Sequence, residues 1–308
     1  MLRDRCSVIK SGSRRCVAPR QGVERYGFSE SDVKIDWIRS FVRYHALFQV
    51  LAAVLVGLVS VTARADAPVA RIGYVAFPPY EYRDSQGQPA GSFIDLTRKV
   101  AIEAGYRPVF VYLPISRVYL YLRQGRIDLW PGLTHIPSLE GKVRPSATRP
   151  IHVELSAWHL KDTPPIRQFS DLRHQRLILI SGYTYGGLAQ YLADQGDNDL
   201  TYTSTHQAGV DMLHRRRGEY LLDYRDPVAA IGVTNGPEGL EHCFIREREA
   251  AWLFSVEDAK SERMRQAFDA AFQRLKATGS LPLAGDQRPV SALPGFPMPA
   301  EGGVSAPE

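Results

Sequence analysis

The chain of 308 residues is 44% hydrophobic and 23% charged, the balance of a globular protein with a sizeable core. Its formal charge of +5 does not point to nucleic acid: 11 of the 38 Lys/Arg and 5 of the 33 Asp/Glu fall in residues 1–65, leaving 27 basic and 28 acidic groups beyond them and no polyanion-binding excess. Cys6 and Cys16 also lie in that leader, so Cys243 has no partner for an intramolecular disulfide in the rest of the chain.

The first element is the apolar run HALFQVLAAVLVGLVSV (45–61), preceded by Arg39 and Arg43 and followed by Ala63-Arg64-Ala65. Basic flank, apolar stretch and A-x-A site together read as a secretory signal peptide cleaved after Ala65, which places the mature protein in the periplasm. The alternative is a retained signal anchor, since the run approaches the roughly 18 residues that span a bilayer.

Beyond the leader, strands and helices alternate. ARIGYVAF (70–77) reads as a strand stopped by Pro78-Pro79, and Ser92 as the N-cap of a helix whose Phe93, Leu96, Val100 and Ala104 share a face up to Gly105. PVFVYL (108–113) is a second strand, Ile115, Val118 and Leu122 mark a helix ending at Gly125, and IDLW (127–130) is a third strand. After the Pro-containing junction at 161–172 the pattern restarts. LILI (177–180) is followed by a helix around Leu188–Leu192, then by a helix carrying Val210 and Leu213, the strand YLLDY (220–224) and a helix opening at DPVAAIG. AAWLFSV (250–256) and a helix bearing Met264, Phe268, Ala271 and Leu275 complete the pattern. Such alternation predicts an α/β fold with a mostly parallel sheet. The tail from Leu281, rich in Pro and Gly, is expected to be disordered.

The eight His residues lack metal-ligand spacing, and no G-x-S-x-G, Walker A or G-x-G-x-x-G pattern occurs. Neither a metal nor a cofactor is expected, and no catalytic residue is assigned. His214-Arg215-Arg216-Arg217 reads as a solvated helix end. What remains is a set of small and polar residues after strands, where open α/β sheets bind ligands: Pro131-Gly132-Leu133-Thr134, Ser181-Gly182-Tyr183-Thr184 and Asp226. Each alone is an ordinary turn or cap; both halves of the chain repeat them.

The segments IGYVAFPPYEYRDSQGQPAGSFIDLTRKVAIEAG, RVYLYLRQGRIDLWPGLTHIP, LILISGYTYGG and LDYRDPVAA resemble those of family 3 extracellular solute-binding proteins, which serve amino-acid ABC transporters. The resemblance covers about residues 70–280. It implies a two-lobed flytrap fold of the type II periplasmic-binding-protein class with two crossover strands. Lobe one is expected at 66–158 plus 250–280 and lobe two at 159–249. It implies a monomer that carries a small polar solute, an amino acid or an amine-bearing compound, to a permease in the inner membrane. Position by position, Phe77 matches the aromatic that stacks on the ligand. Gly132 and Thr134 match the donors to its carboxylate, Tyr183 and Thr184 the contacts from lobe two, and Asp226 the partner of its ammonium group. Tyr80 and Trp130 complete an aromatic wall suited to a cation.

Leu139 stands where the resemblance calls for a carboxylate-binding Arg. Arg117, Arg144 and Arg149 are the candidates to replace it, with Arg117 taken as a ligand contact. Two other functions fit the same fold. One is an enzyme resembling periplasmic cyclohexadienyl dehydratases, for which Glu81 and Glu154 are the carboxylates near the cleft; the other is a sensor acting on a membrane partner.

Overall fold

The computed structural model describes residues 67–235, 240–281 and 290–297, with His45, Phe48 and Gln49 of a separate compact unit, Met1–Ala65. Apart from those three residues, the expected leader and its cleavage site lie outside the described residues. Among the described residues no helix is long and apolar enough to cross a membrane.

In chain order the first part contains β1 (Val69–Tyr74), the short pair β2 (Tyr82–Arg83) and β3 (Pro89–Ala90), α1 (Ser92–Glu103), β4 (Arg107–Tyr112), α2 (Ile115–Arg123), β5 (Leu129–Leu133), β6 (Val143–Pro145) and β7 (Ile151–Leu160). The second part contains β8 (Arg176–Ile180), α3 (Leu188–Gln195), β9 (Asp199–Thr203), α4 (His206–His214), β10 (Tyr220–Tyr224), α5 (Arg225–Asn235), β11 (Leu240–Ser255) and α6 (Lys260–Ala277).

β2 and β3 pair only with each other, and the other strands form one sheet in the order β4-β1-β5-β11-β7-β10-β8-β9, with β6 added beside β11. It is less parallel than the alternation of elements predicts. The outer groups β4-β1-β5 and β10-β8-β9 are parallel, but the centre is antiparallel because β7 and β11 pair from Leu160↔Leu240 to Ile151↔Ala250. These two long strands are the crossovers that join the two lobes. A register shift between Phe244 and Arg246 interrupts them, and such a bulge lets a paired strand bend.

Buried side chains form two clusters, a large one that runs through both halves and a small one in the second half. In the first, Trp252 of β11 is fully buried against Phe93 of α1 and Phe268 and Phe272 of α6, and its indole N–H donates to Thr97 Oγ1 at 2.8 Å. In the second, Trp158, Ile178, Ile180, Val210, Leu213, Leu221 and Val228 pack together. Asp128 ties β1 to the start of β5 by accepting from the Arg71 backbone N–H at 2.7 Å and from its guanidinium at 2.6 Å.

Two local expectations are corrected. Gly91, not Ser92, caps α1: its φ is 119°, and no side chain bonds the cap. Residues 290–297 are not a disordered tail. They run beside β11, with Glu247 N–H donating to Ser291 O and Leu293 N–H to Ile245 O, both at 2.8 Å. Phe296 packs edge-on to Phe169 at 5.3 Å, under the Arg246 guanidinium. The rest of the tail, 282–289 and 298–308, lies outside the described residues.

Candidate functional site

The chain leaves β1 at Tyr74 and turns tightly through Phe77–Glu81. Phe77 N–H donates to Glu81 O at 2.7 Å, and Phe77 O accepts from the N–H groups of Tyr80 and Glu81. The N-terminus of α1 docks on this turn. Ser92 N–H reaches Pro79 O at 3.1 Å, while Phe93 and Ile94 N–H reach Tyr80 O at 2.9 and 3.3 Å. These helix N–H groups have no intrahelical acceptor, so the turn's carbonyls satisfy them. The close approach requires Gly91, because a Cβ there would collide with Pro79 and Tyr80 carbonyl atoms. Glycine also matters at 132, where a Cβ would enter the Trp130 ring.

Phe77, Tyr80, Glu81, Trp130 and Gly132 thereby line a cavity from one side. From the other side Tyr183, Thr184 and Tyr185 follow β8, and Tyr224 closes β10. Tyr119 and Ile115 of α2 and Arg248 of β11 complete the wall. The rings pack on one another: Phe77 stacks on Tyr80 at 5.7 Å, meets Tyr224 edge-on at 5.2 Å and Tyr183 at 6.4 Å, and Tyr119 meets Trp130 at 5.7 Å. The space left measures about 40 Å³, room for roughly three waters at about 10–15 Å³ each. In this conformation the two sides are closed on each other.

Besides tyrosines, the ionisable residues of this wall are Glu81 and Arg248. Glu81 is 2% exposed. Burial pushes its carboxyl well above the usual range, against the opposing pull of the Trp130 indole N–H, 3.3 Å from Oε1, and the Val75 backbone N–H. Its Oε2 is buried with no hydrogen-bond partner, and so is Thr184 Oγ1 on the facing side. Arg248 is completely buried; its guanidinium donates to Tyr224 Oη at 3.1 Å and to the Thr134 carbonyl.

Behind the second side His206 Nδ1 lies 2.7 Å from Asp223 Oδ2, both buried. Its Nε2 lies 3.3 Å from both the Ala76 carbonyl and Tyr183 Oη. Burial works against the imidazolium, but the Asp223 carboxylate and the Ala76 carbonyl outweigh it and hold the pKa above 6.5. Tyr80 Oη donates to Asp226 Oδ2, a second bond between the two sides.

Of the residues expected to bind ligand, Phe77, Tyr80, Trp130, Gly132, Tyr183 and Thr184 come together around this cavity. The others sit differently. Asp226 lies in the first turn of α5, its carboxylate engaged by Tyr80. Thr134 spends both its N–H and its hydroxyl on the Glu249 carbonyl, at 3.0 and 3.2 Å. Arg117 is exposed on α2. Leu139 is buried in the turn Pro137–Leu139, and Arg149 lines a separate cavity beside Thr134. Arg144 faces Glu262 at the surface, and Glu154 accepts from Ser156 and Arg225 outside the aromatic cavity. Arg248 is not among the residues expected from the sequence, although in IREREAA a period of two puts Arg246 and Arg248 on a common face.

No curated protein matches the sequence. Solved structures share the fold. A histidine kinase sensor domain with similarity to periplasmic binding proteins matches at a TM-score of 0.61 and 24% identity, covering 70% of this chain and 92% of its own. The substrate-binding protein of an amino acid ABC transporter matches at 0.58 and 17%, covering 69% and 95%. An arginine-bound amino acid ABC transporter substrate-binding protein from Streptococcus pneumoniae matches at 0.58 and 18%, covering 71% and 92%. The sequence profile of the bacterial extracellular solute-binding proteins, family 3, matches residues 71–283. With two lobes, two crossover strands and a match over most of its length, this chain belongs to the bacterial extracellular solute-binding proteins, family 3.

Proposed function

We propose that the protein captures a small polar solute between its two lobes in the periplasm, as a monomer, and delivers it to an ABC transporter permease in the inner membrane, without chemical conversion. The observation that carries this reading is the pair of orphaned polar atoms, Glu81 Oε2 and Thr184 Oγ1, facing one aromatic cavity from opposite sides. An unsatisfied buried polar atom costs about 1–3 kcal/mol, and a ligand that bonds both would recover that cost only when the lobes are shut. Binding is then coupled to closure.

Native mass spectrometry of the chain from Asp66 onward tests this: a stoichiometric small molecule, released unchanged on denaturation, is expected. X-ray scattering after removal of that molecule should show a larger radius of gyration, reversed on its return. An unchanged radius at saturation would remove the hinge mechanism, and turnover of the molecule into product would replace the carrier with an enzyme. A sensor is the second reading, favoured by the sensor-domain neighbour; co-purification with a signalling membrane protein instead of a permease would select it.

A further inference from the structure

The cavity wall has an unusual charge balance for a site that is to hold an amine. Its only carboxyl among the described residues is Glu81, and its only formal cation is Arg248. Asp226, the acidic residue that the family position suggests for an ammonium group, is outside the lining and occupied by Tyr80. Thr134, the expected hydroxyl donor to a carboxylate, is occupied by the Glu249 carbonyl.

Glu81 has a distinct geometry. Oε1 accepts the Trp130 indole N–H, while Oε2 is buried without a partner on a residue that lines the cavity. In the protonated form that burial favours, Oε2 is an O–H with no acceptor among the described residues. The Thr184 hydroxyl is in the same position across the cavity. Burial outweighs the two donors that favour the ionised carboxyl, the Trp130 indole N–H and the Val75 backbone N–H. Phe93 of α1 is apolar, Trp130 of β5 donates only, and Tyr80 and Tyr119 are pushed further toward their neutral forms by burial, as is Tyr183 on the facing side. Tyr224 of β10 accepts from Arg248, which adds positive charge from β11.

Resting on the carrier reading above, we propose that Glu81 contacts the ligand directly and, with Thr184 and Arg248, selects a small carboxylate that bears no amino group. The ligand carboxylate accepts the Glu81 O–H and the Thr184 O–H in the field of the buried guanidinium, and its apolar body lies among Phe77, Tyr119 and Trp130. A carboxyl-to-carboxylate bond is short and strong in a dry site. An ammonium group meets no ionised carboxylate there and faces Arg248, so an amine or α-amino acid has to force Glu81 to ionise.

The test uses the protein from Asp66 onward and three carbon skeletons, so that size does not decide the outcome: propanoate, butanoate and 3-phenylpropanoate. Each is titrated by calorimetry against the α-amino acid and the amine of the same skeleton. For at least one skeleton the plain acid should bind about tenfold or more tighter. Its affinity should fall as pH rises through the raised pKa of Glu81, because the neutral acid is the competent form. Glu81→Gln keeps a neutral donor and should retain affinity while losing that pH dependence; Glu81→Leu should weaken binding about tenfold or more. Tighter binding of an amine or amino acid in the wild-type protein would overturn the proposal and leave the carrier reading standing. Loss of all affinity in Glu81→Gln, with its thermal unfolding unchanged, would also overturn it. If no probe binds and native mass spectrometry finds no bound molecule, the carrier reading falls as well.

Discussion

The two sides of the cavity are built by different physics. The Phe77–Glu81 side is held by backbone bonds and steric fit: the N-terminus of α1 caps the turn's carbonyls, and Gly91 permits the contact. The Tyr183–Tyr224 side is backed by a buried ionisable pair, His206 and Asp223. On the first side the one buried titrating group is Glu81, whose carboxyl does not hold the contact between the turn and α1. The second depends on the proton inventory of one imidazole. Contact between the sides also follows that proton, because the Ala76 carbonyl only accepts: the His206–Ala76 bond exists only when Nε2 carries hydrogen.

The largest expected effect breaks the charged side. His206→Ala strands Asp223 in the core and should cost about 3–5 kcal/mol of stability, read from urea unfolding at neutral pH. Gly91→Ala breaks the steric side. Its Cβ meets carbonyl atoms at a φ of 119°, so a loss of about 2–4 kcal/mol with no change in pH profile is expected. A smaller effect comes from pH itself. His206 has its folded pKa raised above 6.5, so its contribution is complete below that value and is lost as pH rises through the folded pKa. Urea midpoints over that window should decline in the wild type and in Gly91→Ala, and the decline should be shallower in His206→Ala, where only the share from Glu81 is left. The smallest effect concerns Asp226. As the acceptor of the partly exposed Tyr80 bond between the sides, Asp226→Asn should cost about 1 kcal/mol or less of stability and leave ligand affinity within about twofold. If it holds a ligand cation instead, calorimetry should show a loss of about 3–5 kcal/mol in binding.

Much of this arrangement is legible in the sequence because local signals carry it. The apolar periods of α1, α2 and α6 and the glycines after them locate helices, and the small residues after the strands LILI and IDLW mark the two sides of the cleft. Legibility stops where an element is defined by its partner. β11 contains REREAA, charges that look solvated until β7 and β5 cover them, so only its apolar end at 250–256 is evident and Arg248 is invisible. β5 extends through Pro131-Gly132, which reads as a turn, because β11 supplies the antiparallel register there. β9 is short and polar and is a strand only because β8 offers an edge. Residues 290–297 look disordered by composition, yet they add to the margin of β11. The burial of Glu81 depends on α1, α2 and β5 converging on it, which no spacing within PPYEY encodes.

The Trp130–Glu81 bond has an optical consequence. An indole whose N–H rests on a carboxyl changes its emission when that carboxyl gains or loses charge, and Trp130 touches the cavity itself. The other described tryptophans, Trp158 and Trp252, are buried outside the cavity lining. The protein therefore carries its own spectroscopic probe of the cleft: fluorescence from one side chain registers both the proton on Glu81 and the arrival of a solute, without a label.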